Sequence, residues 1–305
     1  MLGYILRRLA GFLPVLFVIL SLSFFLMRLA PGGPFDQERA LPERVRANIE
    51  ARYHLDEPLW RQYLRYLETM ARGDLGPSFR YPDRSVNELL NLGFPVSLTL
   101  GLCALTIALA LGGTAGILAG LRRNGLVDYL TMSFALWGVS VPNFVLGPLL
   151  MLIFALGLGW LPVAGWGTWR HLVLPSVTLG TFYAAYVARL TRAGMLEVIG
   201  QDFIRTARAK GLREATVVLR HALPGAILPV VTYLGPASAA VLTGSVVVET
   251  IFSIPGIGRY FVGSALNRDY TMVLGTVVFY SVFLLVFNLI VDVLYGYLDP
   301  RVQVR

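Results

Sequence analysis

Charge is scarce in this chain: of its 305 residues only 14% are Asp, Glu, Lys or Arg, against 56% that are hydrophobic. That balance leaves far more apolar surface than a soluble core of this length uses, so an ordinary soluble domain is excluded. Cysteine is reduced to Cys103 alone, which excludes an internal disulfide and a thiolate-rich metal site. Lysine also occurs once, at Lys210, and is followed by Gly211 and Leu212 rather than by Ser or Thr. A phosphate-gripping loop ending in Gly-Lys-Ser or Gly-Lys-Thr is therefore missing, and no nucleotide site is expected in this chain. Histidine supplies only His54, His171 and His221. They fall outside, at the outer edge and inside under the topology derived below, so they cannot share a metal or one active site. No catalytic, metal-binding or cofactor-binding residue is expected.

What the chain has in abundance is long apolar runs. A membrane span needs about 20 mostly apolar residues, and six runs qualify: Leu9–Leu29, Val96–Gly120, Tyr129–Leu156, His171–Gly194, Gly225–Phe252 and Thr271–Leu298. Barrel strands alternate over about 10 residues, whereas these runs are continuous and longer, so helices are predicted. Arg7 and Arg8 precede the first run, whose length and terminal Arg28 fit an uncleaved anchor rather than a signal peptide. Arg122 with Arg123, the cluster from Arg205 to Arg220, and Arg301 with Arg305 alternate with loops poorer in basic residues, which places both termini in the cytoplasm. Trp160, Trp166 and Trp169 then fall at an outer aromatic belt. The net charge of +8 follows from the cytoplasmic loops, and no nucleic-acid motif accompanies it.

The predicted organisation is an anchor helix over residues 1–30, an extracytoplasmic helical region over 31–95, and a core membrane domain over 96–305 with a cytoplasmic loop at 195–224. In the outer region Leu41, Val45 and Ile49 recur at helical spacing, as do Leu59, Tyr63, Leu64, Leu67 and Met70, and Gly73–Pro77 ends the second set. The two short helices serve as a platform for a partner or as a cap on the bundle. Gly112, Gly116 and Gly120 fall four residues apart, which marks a close helix–helix seam. Ser140 and Asn143 in the third span, and Gly235, Ser238, Thr243 and Ser245 in the fifth, are polar or small at mid-span depth. They are candidates for lining a path, with helix packing as the alternative. Glu249 and Asp292 lie near span ends, where a paired or hydrated structural carboxylate is expected.

The stretch Arg205–Pro224 reads as helix, turn, helix about Gly211. From the residues alone, Arg205, Arg208, Arg213 and Arg220 fit a seat against anionic lipid headgroups. The segment also resembles the signature loop of ABC importer permeases, whose pattern is Glu-Ala-Ala, three residues, Gly, nine residues, then Ile-x-Leu-Pro. Ala207, Gly211, Leu223 and Pro224 match that pattern, while Arg205, Thr206 and His221 replace Glu, Ala and Ile, as in the peptide branch. Further runs are similar to the peptide/nickel importer family throughout the chain: Ile5–Leu9, Gly73–Gly76, Ser245–Thr250, Pro255–Gly258, Asn267–Tyr270, Val291–Tyr295 and Asp299–Arg301. Ala30–Phe35 and Ala47–Tyr53 resemble most closely the B-type oligopeptide permease.

The resemblance implies an all-α membrane protein of the type I ABC importer permease fold, in the bacterial cytoplasmic membrane. It implies a loop docking an ATPase through Arg205, Thr206, Ala207, Arg208, Ala209, Lys210, Gly211, Leu212, Arg213, Glu214, Leu223 and Pro224. The implied partners are a second homologous permease, two ATPase subunits that hold ATP and Mg, an extracytoplasmic peptide-binding protein, peptide cargo and membrane lipid. Dipeptides, glutathione or nickel chelates are the alternative cargo within the family. The rival class is an ion-coupled secondary transporter, which would show broken helices and ion ligands at mid-membrane.

Overall fold

The computed structural model describes residues 2–29, 54–81 and 83–298, with side chains placed for 7–29, 54–81 and 83–293. The predicted outer helix on Leu41, Val45 and Ile49 lies outside them, as do the runs Ala30–Phe35, Ala47–Tyr53 and Asp299–Arg301.

Helices make up the described chain: α1 Leu2–Leu29, α2 Leu59–Ala71, α3 Val86–Leu121, α4 Leu126–Ser140, α5 Asn143–Gly157 and α6 Trp169–Ile199. They continue with α7 Asp202–Ala209, α8 over residues 214–226, α9 Leu228–Leu242, α10 Val246–Ile251, α11 Ile257–Leu266 and α12 Tyr270–Leu298. Among the described residues five helices are long and apolar enough to cross a membrane, and α4 with α5 makes a sixth crossing if the bent pair is one span. The expected third and fifth spans are therefore not continuous. The α4–α5 pair bends by 105°, and α9 stops at Leu242 before α10 resumes at Val246. The second span also starts earlier than its apolar run, at Val86, with Pro95 inside the helix.

The chain forms two contact-dense units. One contains Leu2–Pro95 and Gly256–Phe283, so α2 shares a unit with α11 and the first half of α12. In it Phe24, only 2% exposed, packs its ring 5.4 Å from those of Tyr63 and Tyr66, which holds α2 against α1. Asp269, almost fully buried, accepts hydrogen bonds from Ser78 Oγ at 2.5 Å, Phe79 N at 3.1 Å, Thr271 Oγ1 at 3.0 Å and Met272 N at 3.1 Å. One carboxylate thereby ties the loop before α3 to the N-terminus of α12, where the helix dipole also favours negative charge. Asn87 closes the Gly73–Gly76 turn from both sides, donating to Gly73 O at 2.8 Å and accepting from Leu75 N at 2.8 Å.

The other unit contains Val96–Pro255 and residues 284–305. Its centre is α6, and the glycine seam lies where its spacing predicts. A β-carbon added at Gly112, Gly116 or Gly120 would collide with Ala184, Thr191 or Met195 of α6, so the backbones meet only because these positions are glycine. On the next face of α6, Arg192 donates to Asp128 of α4 from Nε at 2.5 Å and from Nη2 at 2.7 Å. Leu100, Leu179, Val241, Leu242 and Phe252 fill the space where α3, α6 and α9 meet.

Candidate functional site

Two helix breaks face one cavity in the second of these units. Pro142 has no N–H to continue α4, and it forces the preceding residue out of the helical region. Val141 is accordingly extended at φ −88°, ψ 113°, and α5 starts afresh at Asn143. On the other side α9 ends at Thr243 and Gly244 turns the chain at φ +106°, a left-handed conformation that glycine adopts without strain. Ser245 then caps α10, its Oγ accepting from Val248 N at 3.5 Å. Between the breaks lies a cavity of about 510 Å³, lined among others by Pro142, Asn143, Tyr183, Gly244 and Ser245. Among the described residues that line it, none carries a charge.

Of the six residues expected to line a path, Asn143 and Ser245 border this cavity. Ser140 is exposed, and Ser238 is half-buried on α9. Thr243 is fully buried, with its hydroxyl donating to Ala239 O at 2.5 Å. Gly235 packs against Asn288 and Val291 of α12. Phe182 and Tyr183 of α6 also line the cavity and were not singled out in the sequence, where their spacing matches an ordinary buried helix face. Glu249 is fully buried and accepts a hydrogen bond from Ser97 Oγ at 2.6 Å, as a structural carboxylate would.

The basic loop is a built object. Helix α7 presents Ile204 and Ala207 to a buried cluster with Met195, Val198, Val217, Val218, Ala222 and Ala226. Its end is closed by Gly211 N to Arg208 O at 2.9 Å and Leu212 N to Ala207 O at 3.4 Å, with Gly211 at φ +76°. This left-handed helix ending is the physical reason for glycine at the centre of the loop. Arg208 bridges the turn to Glu214, from Nη2 to Oε1 at 2.6 Å and from Nε to Oε2 at 3.1 Å. That pairing holds the Glu214 carboxyl below the usual carboxylate range and the Arg208 guanidinium above its ordinary value. The outward face carries Phe203 and Leu212, 48% and 39% exposed, beside the exposed Arg205, Thr206, Ala209, Lys210 and Arg213. Leu223 is half-buried and Pro224 exposed at the start of the climb toward α9. Apolar side chains ringed by cations, on a short helix pinned to the bundle by its opposite face, form a surface suited to a protein partner.

The helix bundle, the interrupted spans and this projecting loop define a membrane transport component. A family model described as "Binding-protein-dependent transport system inner membrane component" matches residues 112–304, and the chain belongs to that family: it is a permease subunit of an ABC importer. In particular, it is 52% identical over 305 residues to the oligopeptide transport system permease protein OppB of Haemophilus influenzae, covering 99% of this chain and 100% of that one. It is 51% identical to the OppB of Escherichia coli K12 over the same span, with the same coverage. The dipeptide transport system permease protein DppB of Bacillus subtilis is 48% identical over 302 residues, 99% of this chain and 98% of that one. Among solved structures, one described as inward-facing conformations of the MetNI methionine ABC transporter matches with a TM-score of 0.58 at 17% identity, over 69% of this chain and 96% of that chain. At that identity the likeness shows the fold alone.

Proposed function

We propose that this chain supplies one half of the translocation path of an ATP-driven importer for oligopeptides, its loop at 195–224 acting as the seat for an ATPase subunit. Both termini lie in the cytoplasm, and the unit containing α2 faces the extracytoplasmic peptide-binding protein. A second homologous permease completes the path. ATP and Mg are held by the partner ATPases, and no cofactor is held here. The observation that carries this reading is the geometry of α7, whose buried Ile204 and Ala207 anchor it to α6 and α8 while Phe203, Arg205 and Leu212 project outward. A push on α7 is thereby transmitted through packed side chains to α6, which lines the cavity at Leu179, Phe182 and Tyr183.

Transport then follows as a shift between inward-open and outward-open states. ATP and the loaded binding protein bias that equilibrium only as far as each contacts one state better than the other. The helix breaks at Pro142 and Gly244 are the points where the spans can bend without losing regular hydrogen bonds elsewhere.

The test is reconstitution of the complex in vesicles. Tri-alanine uptake is expected to require ATP, the ATPases and the binding protein, and to persist when ion gradients are dissipated. Accumulation by this permease pair alone under an ion gradient would reject the proposal in favour of a secondary transporter. Dipeptide cargo is a second reading, favoured by the 48% identity to the Bacillus subtilis dipeptide permease. The lengths of the peptides eluted from the cognate binding protein decide between the two.

A further inference from the structure

One face of α6 has a use that neither its packing nor the loop explains. Its seam positions Ala184, Ala188, Thr191 and Met195 meet α3, while Thr181, Ala185 and Arg192 meet α4. The remaining face carries Phe182, Tyr186 and Arg189, spaced four and three residues apart and hence in one row. The rings of Phe182 and Tyr186 lie 5.1 Å apart, and Tyr186 stacks on Tyr233 of α9 at 5.5 Å with the planes 18° apart. The Arg189 guanidinium lies 4.7 Å from the Tyr186 ring centre. The row starts at the cavity between the helix breaks, which Phe182 and Tyr183 line, and runs toward the loop end of α6.

Among the described residues, the polar ends of this row have no hydrogen-bond or ion-pair partner. The hydroxyls of Tyr183, Tyr186 and Tyr233 make no hydrogen bond to a described residue, and Arg189 forms no ion pair with one. All four residues are half-buried. Three hydroxyls and a guanidinium turned toward lipid tails would each lose hydration without replacement, so this face is expected to meet water or a polar ligand. Aromatic faces can stack on the peptide group that every cargo of this class carries. A guanidinium held over a ring face can still offer N–H groups to a carboxylate in a fork.

We propose that this row is the inner section of the peptide path: Tyr186 and Tyr233 form a stacking step, and Arg189 receives the C-terminal carboxylate of the passing peptide. The inference rests on the peptide-importer reading and adds the residues that hold the cargo after it leaves the cavity. The chemistry on the row explains how one path serves peptides of differing sequence. Every peptide with a free C-terminus offers a carboxylate, and the rings impose no side-chain charge.

The complete importer carrying Cys103→Ser serves as parent, and Tyr186→Cys and Tyr233→Cys are introduced into it separately. A water-soluble methanethiosulfonate reagent is expected to modify both thiols, and tri-alanine in excess, with binding protein and ATP, is expected to slow modification severalfold. A Phe134→Cys control on α4, whose wild-type side chain is 75% exposed, reports the lipid-facing response. Thiols at 186 and 233 that stay as inert as this control, or react without any effect of peptide, overturn the proposal. In parallel, Arg189→Gln is expected to cut uptake about tenfold, the loss of a charge-assisted hydrogen bond. Binding-protein-stimulated ATP hydrolysis is expected to continue, and Arg189→Lys to restore part of the uptake. Unchanged uptake in Arg189→Gln overturns the role of the guanidinium. A parent that fails to import peptide with ATP sinks the importer reading itself, whereas a parent that imports normally with inert thiols sinks only the row.

Discussion

Asp128 is almost sealed from solvent at 3% exposure, and its oxygens accept the two Arg192 bonds and a third from Asn124 N at 3.0 Å. Removing the arginine leaves a buried carboxylate with a single backbone donor. Arg192→Ala is therefore expected to cost about 1–3 kcal/mol, because the Arg192 side of the pair is partly open to solvent. The double change Arg192→Ala with Asp128→Ala is expected to cost less than the single one, because no uncompensated charge remains. Unfolding midpoints of the unsubstituted chain, Arg192→Ala and the double variant in detergent measure the difference, and a double variant weaker than Arg192→Ala would refute the assignment. Nothing in the sequence paired these two residues. They are far apart in the chain, and Arg192 there reads as one more basic residue at the end of a span.

The same contrast holds for whole elements. The glycine seam was legible because a repeat of four places Gly112, Gly116 and Gly120 on one helical face, and close packing needs nothing further. The broken spans were not, because the runs stay apolar across the breaks and the local signals at Pro142 and Gly244 also fit intact, kinked membrane helices. Of the six polar candidates, only Asn143 and Ser245 border the cavity, since the bends re-aim the flanking turns. The row of Phe182, Tyr186 and Arg189 needed Tyr233 from a different helix to become recognisable.

The end of α7 belongs to this scale too. Gly211→Val puts a β-branched side chain at φ +76°, at a cost of about 1–3 kcal/mol of backbone strain. The turn after Ala209 then reopens and the seat loses its shape. Lower copurification of the ATPases and lower tri-alanine uptake are expected, and normal values of both would reject the loop as the docking element.

At the scale of the molecule, the orientation has a direct check. In a Cys103→Ser chain, Lys210→Cys is expected to react with an impermeant thiol reagent only from the cytoplasmic side. Val163→Cys, at a position whose wild-type side chain is 42% exposed, is expected to react only from the outside. The reverse pattern would invert the topology and remove the ATPase seat. The long apolar helices and the family were legible from composition and motif. The division into two units was not, because it depends on Asp269 reaching back to Ser78, 191 residues earlier in the chain. That reach also dictates an order of assembly. The loop before α3 leaves the ribosome long before the carboxylate that secures it, and at about 5–20 residues per second the wait is on the order of 10–40 s. Until α12 is made, the loop before α3 lacks the carboxylate that accepts from Ser78 and Phe79, so chains truncated before residue 269 are expected to be cut there by added protease faster than the full chain.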